Sequence, residues 1–170
     1  MARRARTAPP AAGQGRTLMF AAAGLPLGVP LEDLLRVTET VEMLPMPMAS
    51  TALAGVVESL EGVTPIYDLA TLSAPSRGPP PRASTAAGLV ALFPHAHGSV
   101  GIRVDRLAGL SDAPEALGPD LQKNLVAALP AALQPFITGA ATSRGQLFFF
   151  FSRDAFLSWV GAARDEPTGT

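Results

Sequence analysis

The sequence predicts an all-β fold built from many short strands, with little helix. The chain has 170 residues, of which 17 are prolines and 16 are glycines, and 48% of its residues are hydrophobic. Proline and glycine interrupt regular elements, so they favour short strands joined by turns over long helices. The apolar runs also recur between turn signals about every 8 to 15 residues, giving about nine or ten strands. These features are typical of a β-barrel or β-sandwich with a sizeable core.

The first predicted elements are a hairpin and a third strand. The run TLMFAAA (17–23) is one strand, Gly24–Pro26 is the turn, and LGVPL (27–31) resumes the extended chain. The run EDLLRVTETVEML (32–44) fits both helical and alternating spacing, and its Val and Thr content favours a strand in its second half. The run MLPMPMAS is predicted to be an irregular loop. Its methionines either fill the edge of the core or form an adaptable contact surface.

The next segment is predicted to combine helical turns with a strand and a long loop. PMASTALAGVVESL (47–60) has room for one or two helical turns before Gly55, and VTPIYDLATL (63–72) is a strand that ends in a turn. Pro65 predicts an edge position or a bulge, because proline cannot donate a hydrogen bond to a neighbouring strand. The run SAPSRGPPPRASTAAG (73–88) is predicted to be a flexible crossover loop.

The C-terminal part is predicted to hold both strands and helices. LVALFPHAHGSVGIRVDRLAGL (89–110) indicates two strands around a PHAHGS turn, and residues 111–136 are the most helix-like part of the chain. Pro114 and Pro119 are candidate helix starts. ITGAATSRGQLFFFFS (137–152) predicts two strands around a turn at 143–145, the second buried on both faces. RDAFLSWVGAAR (153–164) is predicted to be an amphipathic helix that buries Phe156, Trp159 and Val160.

Charge and residue types exclude several classes of function. The net charge of −1 argues against a nucleic-acid surface, and the absence of cysteine excludes disulfides and thiolate chemistry. His95 and His97 are the two histidines, too few ligands for a metal site, so a turn pair is expected. Glu58 and Glu61 would lie together only on a helix, and their segment is too short for one. We therefore expect no catalytic residues, no metal, no cofactor and no enzymatic activity.

The predicted domain organisation is a single folded domain with two tails. Residues 1–15 form a basic, disordered arm, residues 16–162 form the domain, and residues 163–170 form a disordered tail. The arm could alternatively tether the protein to an acidic partner or lipid. Gly24, Pro26, Gly28 and Pro30 interrupt the apolar run that follows the arm, so neither a signal peptide nor a membrane span is expected, and cysteine-free composition fits the cytoplasm.

The order of several motifs resembles that of the CheW-like domain, the adaptor module of bacterial chemosensory systems. The family's F-x7-G spacing matches Phe20–Gly28, and its V-x-E-[VI] motif corresponds to LLRV at 34–37. Its P-x-x-P-x-x-[IV]-x-G-[VI] segment corresponds to residues 47–56, with Ser50 in place of the second proline, and its x-x-P-[VI]-[IV]-D-L motif to VTPIYDL at 63–69. GIRVDRL at 101–107, the strand pair at 135–151 and DAFL at 154–157 match later family motifs. The resemblance covers residues 17–158.

The resemblance implies two packed, five-stranded SH3-like barrels whose strands interleave along the chain. It also implies a non-enzymatic role as a cytoplasmic chemotaxis adaptor or scaffold that connects signal transduction to motility. Its partners would be the cytoplasmic domain of a methyl-accepting-type chemoreceptor and a CheA-type histidine kinase, or other CheW-like proteins. Receptors would dock in the groove between the barrels and the kinase on a barrel end. No nucleic acid and no direct membrane insertion are implied.

The departures from the family pattern predict an altered docking surface. The family has N-L-R-G where this chain has ESLEG, and no arginine or lysine lies between Arg36 and Arg77. Arg36 itself occupies the position of the family's glutamate. Without gaps the family arginine falls on Leu60; with a one-residue bulge it falls on Glu61. The predicted partner-binding residues are Leu34, Arg36, Leu60, Glu61, Gly62 and Val63.

Two interpretations of these departures remain open. In the first, Arg36 and Glu61 keep the family's ion pair with its charges exchanged. In the second, one docking surface is lost, and the protein joins receptors or sibling adaptors without recruiting a kinase. Outside the family, the main alternative is another SH3-like interaction module or kinase-regulatory domain, and the second is a small enzyme, which the missing nucleophile and acid–base groups disfavour.

Overall fold

The predicted all-β architecture is confirmed. A computed structural model of the chain describes residues 15–40, 43–44, 46, 52–59, 62–73 and 88–165. The strands there are β1 (Thr17–Ala22), β2 (Leu25–Pro30), β3 (Arg36–Thr40), β4 (Leu53–Ser59), β5 (Gly62–Tyr67), β6 (Gly88–His95), β7 (Gly98–Val104), β8 (Arg106–Ser111), β9 (Glu115–Ala116), β10 (Ile137–Ser143) and β11 (Gln146–Phe151). The α-helices are α1 (Leu69–Ser73), α2 (Pro119–Ala127) and α3 (Arg153–Asp165), and short 3₁₀ turns lie at Leu31–Asp33 and Gln134–Phe136.

The strands form two sheets, which we call barrel 1 and barrel 2. Barrel 1 is six-stranded, in the order β8-β1-β2-β11-β10-β9, and barrel 2 is five-stranded, in the order β3-β6-β7-β5-β4. Barrel 1 combines strands from the beginning and the end of the described chain, whereas barrel 2 uses the strands between them. The predicted interleaving is therefore present. The sixth strand of barrel 1 is the two-residue β9, which pairs with β10.

In each sheet the two end strands are consecutive along the chain. In barrel 1 the end strands β8 and β9 are separated by three residues, 112–114. In barrel 2, Leu44 follows β3 in the chain and lies beside β4, on the side away from β5. There Leu44 and Val56 exchange two backbone hydrogen bonds of 2.9 Å. This bridge joins the two ends of the five-stranded sheet. Closure of this kind removes the unpaired strand edges that would otherwise attract other chains.

The two barrels repeat the same hairpin with the same irregularity. In barrel 2 the β4–β5 register shifts between Leu53 and Gly55, and in barrel 1 the β10–β11 register shifts between Ile137 and Gly139. Each second strand then pairs in parallel with another hairpin, β5 with β7 and β11 with β2. Each is followed by a helix, α1 or α3. The two barrels are thus related by an internal repeat, with β1–β2 taking the place of β6–β7.

Three groups of apolar side chains fill the molecule. Phe148, Met19 and Ala141 pack inside barrel 1, and a second group, Met43, Ile66, Val90 and Leu92, packs inside barrel 2. The largest group lies between the barrels and includes Phe20, Phe93, Phe136, Phe151, Phe156 and Val160. Successive residues of a strand therefore point either into their own barrel or out of it, and many of those that point out meet the other barrel. This accounts for the run of phenylalanines: Phe148, Phe149 and Phe151 are buried, as predicted for a strand covered on both faces.

Local predictions around β4 and β5 meet different outcomes. The helical turns predicted before Gly55 fall mostly on residues 47–51, which lie outside the described residues, whereas Leu53 and Ala54 belong to β4, because Leu53 pairs with Tyr67 of β5. Pro65 does not lie on an edge strand, but of the two predicted alternatives the bulge has a counterpart beside it, because the β4–β5 register shifts between Leu53 and Gly55, opposite Tyr67 and Ile66. Its partner Val56 turns its own N–H and C=O toward Leu44, so Val56 and Pro65 share no hydrogen bond, and pairing of β5 with β7 begins only at Ile66. The missing N–H of Pro65 is therefore harmless. After VTPIYDL the chain forms α1 rather than a simple turn.

The helix-like region is shorter than predicted, and two strands around it were missed. The third strand after residue 88, β8, is exposed over most of its length and shows no apolar alternation. Glu115–Ala116 forms β9 rather than the start of a helix, and α2 begins at Pro119, the second candidate start. α3 covers the predicted C-terminal helix and extends to Asp165, past the predicted domain end at 162.

Gly55 is required by the bridge that joins the ends of barrel 2. A Cβ at this position would lie 2.8 Å from the backbone oxygen of Leu44 and 3.4 Å from Cβ of Met43. The obstructing atom belongs to the backbone, so it cannot rotate away. We expect Gly55→Ala to weaken the Leu44–Val56 bridge and to lower stability by roughly 1–3 kcal/mol. Hydrogen exchange should show faster exchange of the Leu44 and Val56 amides. Gly118→Ala, where a Cβ has no atom within 4 Å, is the control, and equal exchange in both variants would contradict the prediction.

A carboxylate at the start of barrel 2 predicts a pH dependence. Asp33 lies 3.1 Å from Arg153, which also binds Asp154 at 2.9 Å. Partial burial raises the pKa of Asp33 above its ordinary 3.8, although Arg153 opposes this. A raised pKa means that protonation of Asp33 favours the folded state. This stabilisation is full below the unfolded pKa and is lost as pH rises through the folded pKa.

We therefore expect wild-type protein to gain stability relative to Asp33→Asn as pH falls from 7 toward 4. Urea unfolding at both pH values would measure the difference. Asp112→Asn is the control, because Asp112 forms an exposed ion pair with Arg16 (2.9 Å). An Asp33→Asn variant that loses most stability at pH 7 and least near pH 4 would contradict the sign.

Candidate docking surface

Leu34 and Arg36, two of the predicted partner-binding residues, lie where barrel 2 begins. The 3₁₀ turn at Leu31–Asp33 ends with the Leu34 N–H donating to the Leu31 carbonyl over 3.2 Å, which turns the chain into β3. Leu34 is half-buried and packs against the core between the barrels. It therefore positions the first residues of β3, and only part of its side chain remains available to a partner.

Arg36 is exposed at the first position of β3. It pairs with Leu92 of β6, and the next residue, Val37, packs against the core between the barrels. The alternation of a strand therefore directs Arg36 away from that core. Among the residues that the structure describes, Arg36 forms no ion pair. Its guanidinium is thus available as a solvent-facing cation.

Gly62 and Val63, two of the other predicted residues, are the first residues of β5. Gly62 has φ of +120°, a backbone conformation that only glycine adopts without strain, and it is exposed. Val63 follows it and is 63% exposed, an unusual degree for a valine. Leu60 and Glu61 lie outside the described residues. The predicted pairing of Arg36 with Glu61 therefore remains a prediction.

The structure places the two predicted segments on strands that do not pair with each other. β3 is one end of the barrel 2 sheet, and β4 and β5 are at the other end. The Leu44–Val56 bridge connects these ends, so the segments flank the closure of the barrel from opposite sides. They are thus parts of one barrel surface rather than one compact cluster.

Sequence reasoning missed an exposed apolar face beside the hairpin tip. Leu44, Val56 and Pro65 are direct cross-strand neighbours, so their side chains lie on the same face of the sheet. Met43 and Ile66, adjacent to two of them in the chain, point into barrel 2, so this row points outward. Leu44 is 48% exposed, and Val56 and Pro65 are half-buried. Val63 extends the row, and we call Leu44, Val56, Val63 and Pro65 the outer face of barrel 2.

The signal for this face was present in the sequence. Successive residues of VVES (56–59) and VTPI (63–66) point to opposite faces of their strands, so some of the valines had to face outward. Sequence alone does not show which of the two faces is covered. The methionines of the neighbouring loop divide in the same way. Met43 is buried inside barrel 2, whereas Met46 is 50% exposed. The remaining loop methionine, Met48, lies outside the described residues.

Within β4 and β5 as the structure describes them, one side chain is charged. Glu58, opposite Val63 on β4, is exposed on the outer face. In the described ranges no group of three or more His, Cys, Asp or Glu side chains could hold a metal ion. His95 ends β6 and His97 lies in the turn that follows, with ring centroids 6.1 Å apart. The helices among the described residues are all too short or too polar to span a bilayer.

Comparison with known proteins agrees with this architecture. A solved structure, the scaffolding protein TtCheW from Thermoanaerobacter tengcongensis, is similar with a TM-score of 0.60 at 14% identity, covering 81% of this chain and 88% of that chain. At this identity the likeness shows the fold. No curated protein sequence matches the chain.

The family model of the CheW-like domain matches residues 16–160, which include the eleven strands found among the described residues. This match covers most of the chain and includes both barrels and the core between them. The chain therefore belongs to the CheW-like domain family of chemotaxis signal-transduction adaptors.

Proposed function

We propose that this protein is a non-enzymatic adaptor that couples a chemoreceptor's cytoplasmic domain to a CheA-type histidine kinase or to other CheW-like proteins. The observation that carries the proposal is the family match over residues 16–160. The architecture supports it, since two barrels joined by one apolar core present separate outer surfaces on a rigid body. Such a body can hold two partners at a fixed distance and orientation.

We further propose that partners contact barrel 2 through Leu34, Arg36, Leu60, Glu61, Gly62 and Val63. Three of these have exposed positions in the structure: Arg36, Gly62 and Val63. Arg36 supplies a cation, and Val63 supplies apolar area. Interfaces combine these two contributions, an apolar centre with charged residues at its rim.

The charges on this surface are proposed to be exchanged relative to the family pattern. The left-handed backbone of Gly62 supports the alignment in which Gly62 is the motif glycine and Glu61 replaces the family's arginine. An exposed ion pair contributes only about 0–1 kcal/mol to folding, so stability would hardly change if it were reversed. A partner with unreversed charges would meet repulsion instead of attraction, so the exchange acts on specificity.

Pairwise binding tests the adaptor function. Affinity capture from the native cell, followed by calorimetry with each captured chemosensory protein, should give direct binding to a receptor fragment and to the kinase's regulatory domain. Binding to receptor or sibling adaptors without the kinase would favour the interpretation in which a docking surface is lost. An absence of binding to any chemosensory protein would reject the adaptor function.

A charge-exchange variant tests the proposed polarity. Arg36→Glu combined with Glu61→Arg restores the family's charges, and we expect it to bind a receptor or kinase from a conventional system at least fivefold more tightly than wild type. The single variants should not, because each leaves two like charges together. Arg106→Glu, an exposed arginine on barrel 1, controls for net charge. Equal binding by the double variant and wild type would count against the exchange.

A further inference from the structure

Both histidines of the chain lie at the hairpin turn between β6 and β7. His95 ends β6 and pairs with Gly98, the first residue of β7, so Ala96 and His97 form a two-residue loop. The centroids of the two imidazole rings are 6.1 Å apart, and the ring planes are inclined by 62°. The sequence contains no other histidine and no cysteine. Imidazole is a favoured ligand of zinc, and every imidazole of the chain is therefore gathered at one point.

The two rings are accessible to an ion. His97 is exposed and His95 is half-buried. Among the residues that the structure describes, neither ring forms a hydrogen bond or an ion pair. The neighbouring Ala96 and Gly98 are small and exposed, and a Cβ at Gly98 would have no atom within 4 Å. An ion, and a second protein surface behind it, can therefore reach the imidazole nitrogens without displacing other side chains.

The backbone that carries the two rings is held in place. The β6–β7 ladder runs without a register shift up to the pair of His95 and Gly98. Ser99, the next residue, forms a hydroxyl–hydroxyl hydrogen bond of 2.7 Å with Thr64 of β5. Because the backbone is already fixed, the two ligands lose little further entropy when they bind one ion. The turn therefore presents the two imidazoles as a chelating pair.

The distance between the rings fits a shared tetrahedral ion after a small adjustment. Nitrogen–zinc bonds of about 2.0–2.1 Å at a tetrahedral angle place two imidazole centroids about 5 Å apart. The observed 6.1 Å has to shorten by about 1 Å, which rotation of the side chains at an exposed turn can supply. A structural zinc ion takes four protein ligands, whereas one chain offers two imidazoles. The other two ligands have to come from another molecule.

We propose that His95 and His97 form half of a zinc site, which the same two histidines of a second copy of this chain complete. A two-fold axis through the ion gives four imidazoles in a tetrahedral arrangement. The small side chains of Ala96 and Gly98 leave room for the two turns to approach each other. The proposal adds zinc-dependent self-association, through the end of barrel 2, to the proposed adaptor function and does not depend on that function.

The test titrates the full-length protein with zinc chloride and follows its mass by sedimentation velocity. We expect a monomer in EDTA and a dimer that is most abundant at about one zinc ion per two chains. The dimer should decline again in excess zinc, because each chain then holds an ion of its own. His95→Ala and His97→Ala should each stay monomeric throughout and bind zinc at least tenfold more weakly in calorimetry. Urea unfolding should show that both variants are folded, since each change lies at the surface turn.

Arg144→Ala is the matched control, because Arg144 is an exposed residue in the turn of the β10–β11 hairpin. It should dimerise with zinc as wild type does. The proposal is overturned if wild type stays monomeric at every zinc ratio, or if it binds one ion per chain without associating. Dimers that persist in EDTA, or that His97→Ala forms equally well, would overturn it too. None of these outcomes bears on the adaptor function, which pairwise binding to chemosensory proteins tests separately.

Discussion

Phe156→Ala should lower the free energy of unfolding by about 3–5 kcal/mol, the cost of removing a fully buried aromatic ring. Phe156 has 0% exposure and belongs to the core between the barrels. Its ring lies within 5.6–6.1 Å, between centroids, of five other aromatic rings: Tyr67, Phe93, Phe136, Phe151 and Trp159. Since a domain's total stability is about 5–15 kcal/mol, this single loss would remove much of it.

The contacts of Phe156 also predict how the variant unfolds. Tyr67 and Phe93 belong to strands of barrel 2, whereas Phe151 belongs to barrel 1. The cavity would therefore loosen both barrels together, and the transition should remain single. Urea denaturation followed by Trp159 fluorescence and by far-UV circular dichroism would test this. Leu121→Ala, at an exposed site, should change stability by less than about 0.5 kcal/mol. Two separate transitions, or a loss below 1 kcal/mol for Phe156→Ala, would contradict the shared core.

Gly28→Ala should destabilise the protein by roughly 1–3 kcal/mol through overpacking. A Cβ at Gly28 would lie 2.5 and 2.6 Å from two ring carbons of Phe148, and 3.0 Å from a methyl group of Thr17. The ring fills the interior of barrel 1 and packs edge-on against Phe150, with centroids 5.1 Å apart. A rigid ring between two strands cannot turn aside without moving its neighbours.

The internal repeat supplies a matched comparison for this prediction. Gly101 occupies the same place in barrel 2, but there a Cβ would meet Cδ1 of Ile66 at 2.6 Å and Cδ2 of Leu92 at 2.8 Å. These are the ends of flexible side chains, so Gly101→Ala should cost less than Gly28→Ala. The double variant Gly28→Ala, Phe148→Leu should recover stability relative to the sum of its single changes. Additive losses in chemical denaturation would show that the ring is not the obstacle.

The parts of the fold that were predicted correctly are those with strong local signals. The β1–β2 hairpin has Gly24 at φ of +72°, and the β10–β11 turn has Gly145 at +75°, so glycine itself marked both turns. α3 was predicted because Phe156 and Val160 recur at helical spacing. β8 was missed because its exposed residues carry no apolar alternation, and it forms through pairing with β1. The strand at Leu53 likewise depends on a distant partner, Tyr67.

The candidate docking surface was only partly predictable for a related reason. Motif order identified Arg36 and Val63, and the structure shows both to be exposed. The apolar row from Leu44 to Pro65 depends on a bridge between residues from separate segments, which no local pattern reveals. Exposure of an alternating strand depends on whether another element covers it. In barrel 1 that element is present, and in barrel 2 the described residues do not supply it.

The interleaved order of the strands has a consequence for synthesis on the ribosome. Barrel 2 is contiguous from Arg36 to Val104, so its strands emerge one after another. The hairpin β1–β2 emerges before barrel 2, yet Leu27 pairs with Phe149 of β11. The edge of β2 stays unpaired until β11 has been synthesised, a state that favours chaperone binding and slow completion of the fold. A nascent chain interrupted before β10 can close barrel 2 but lacks the strands that complete barrel 1.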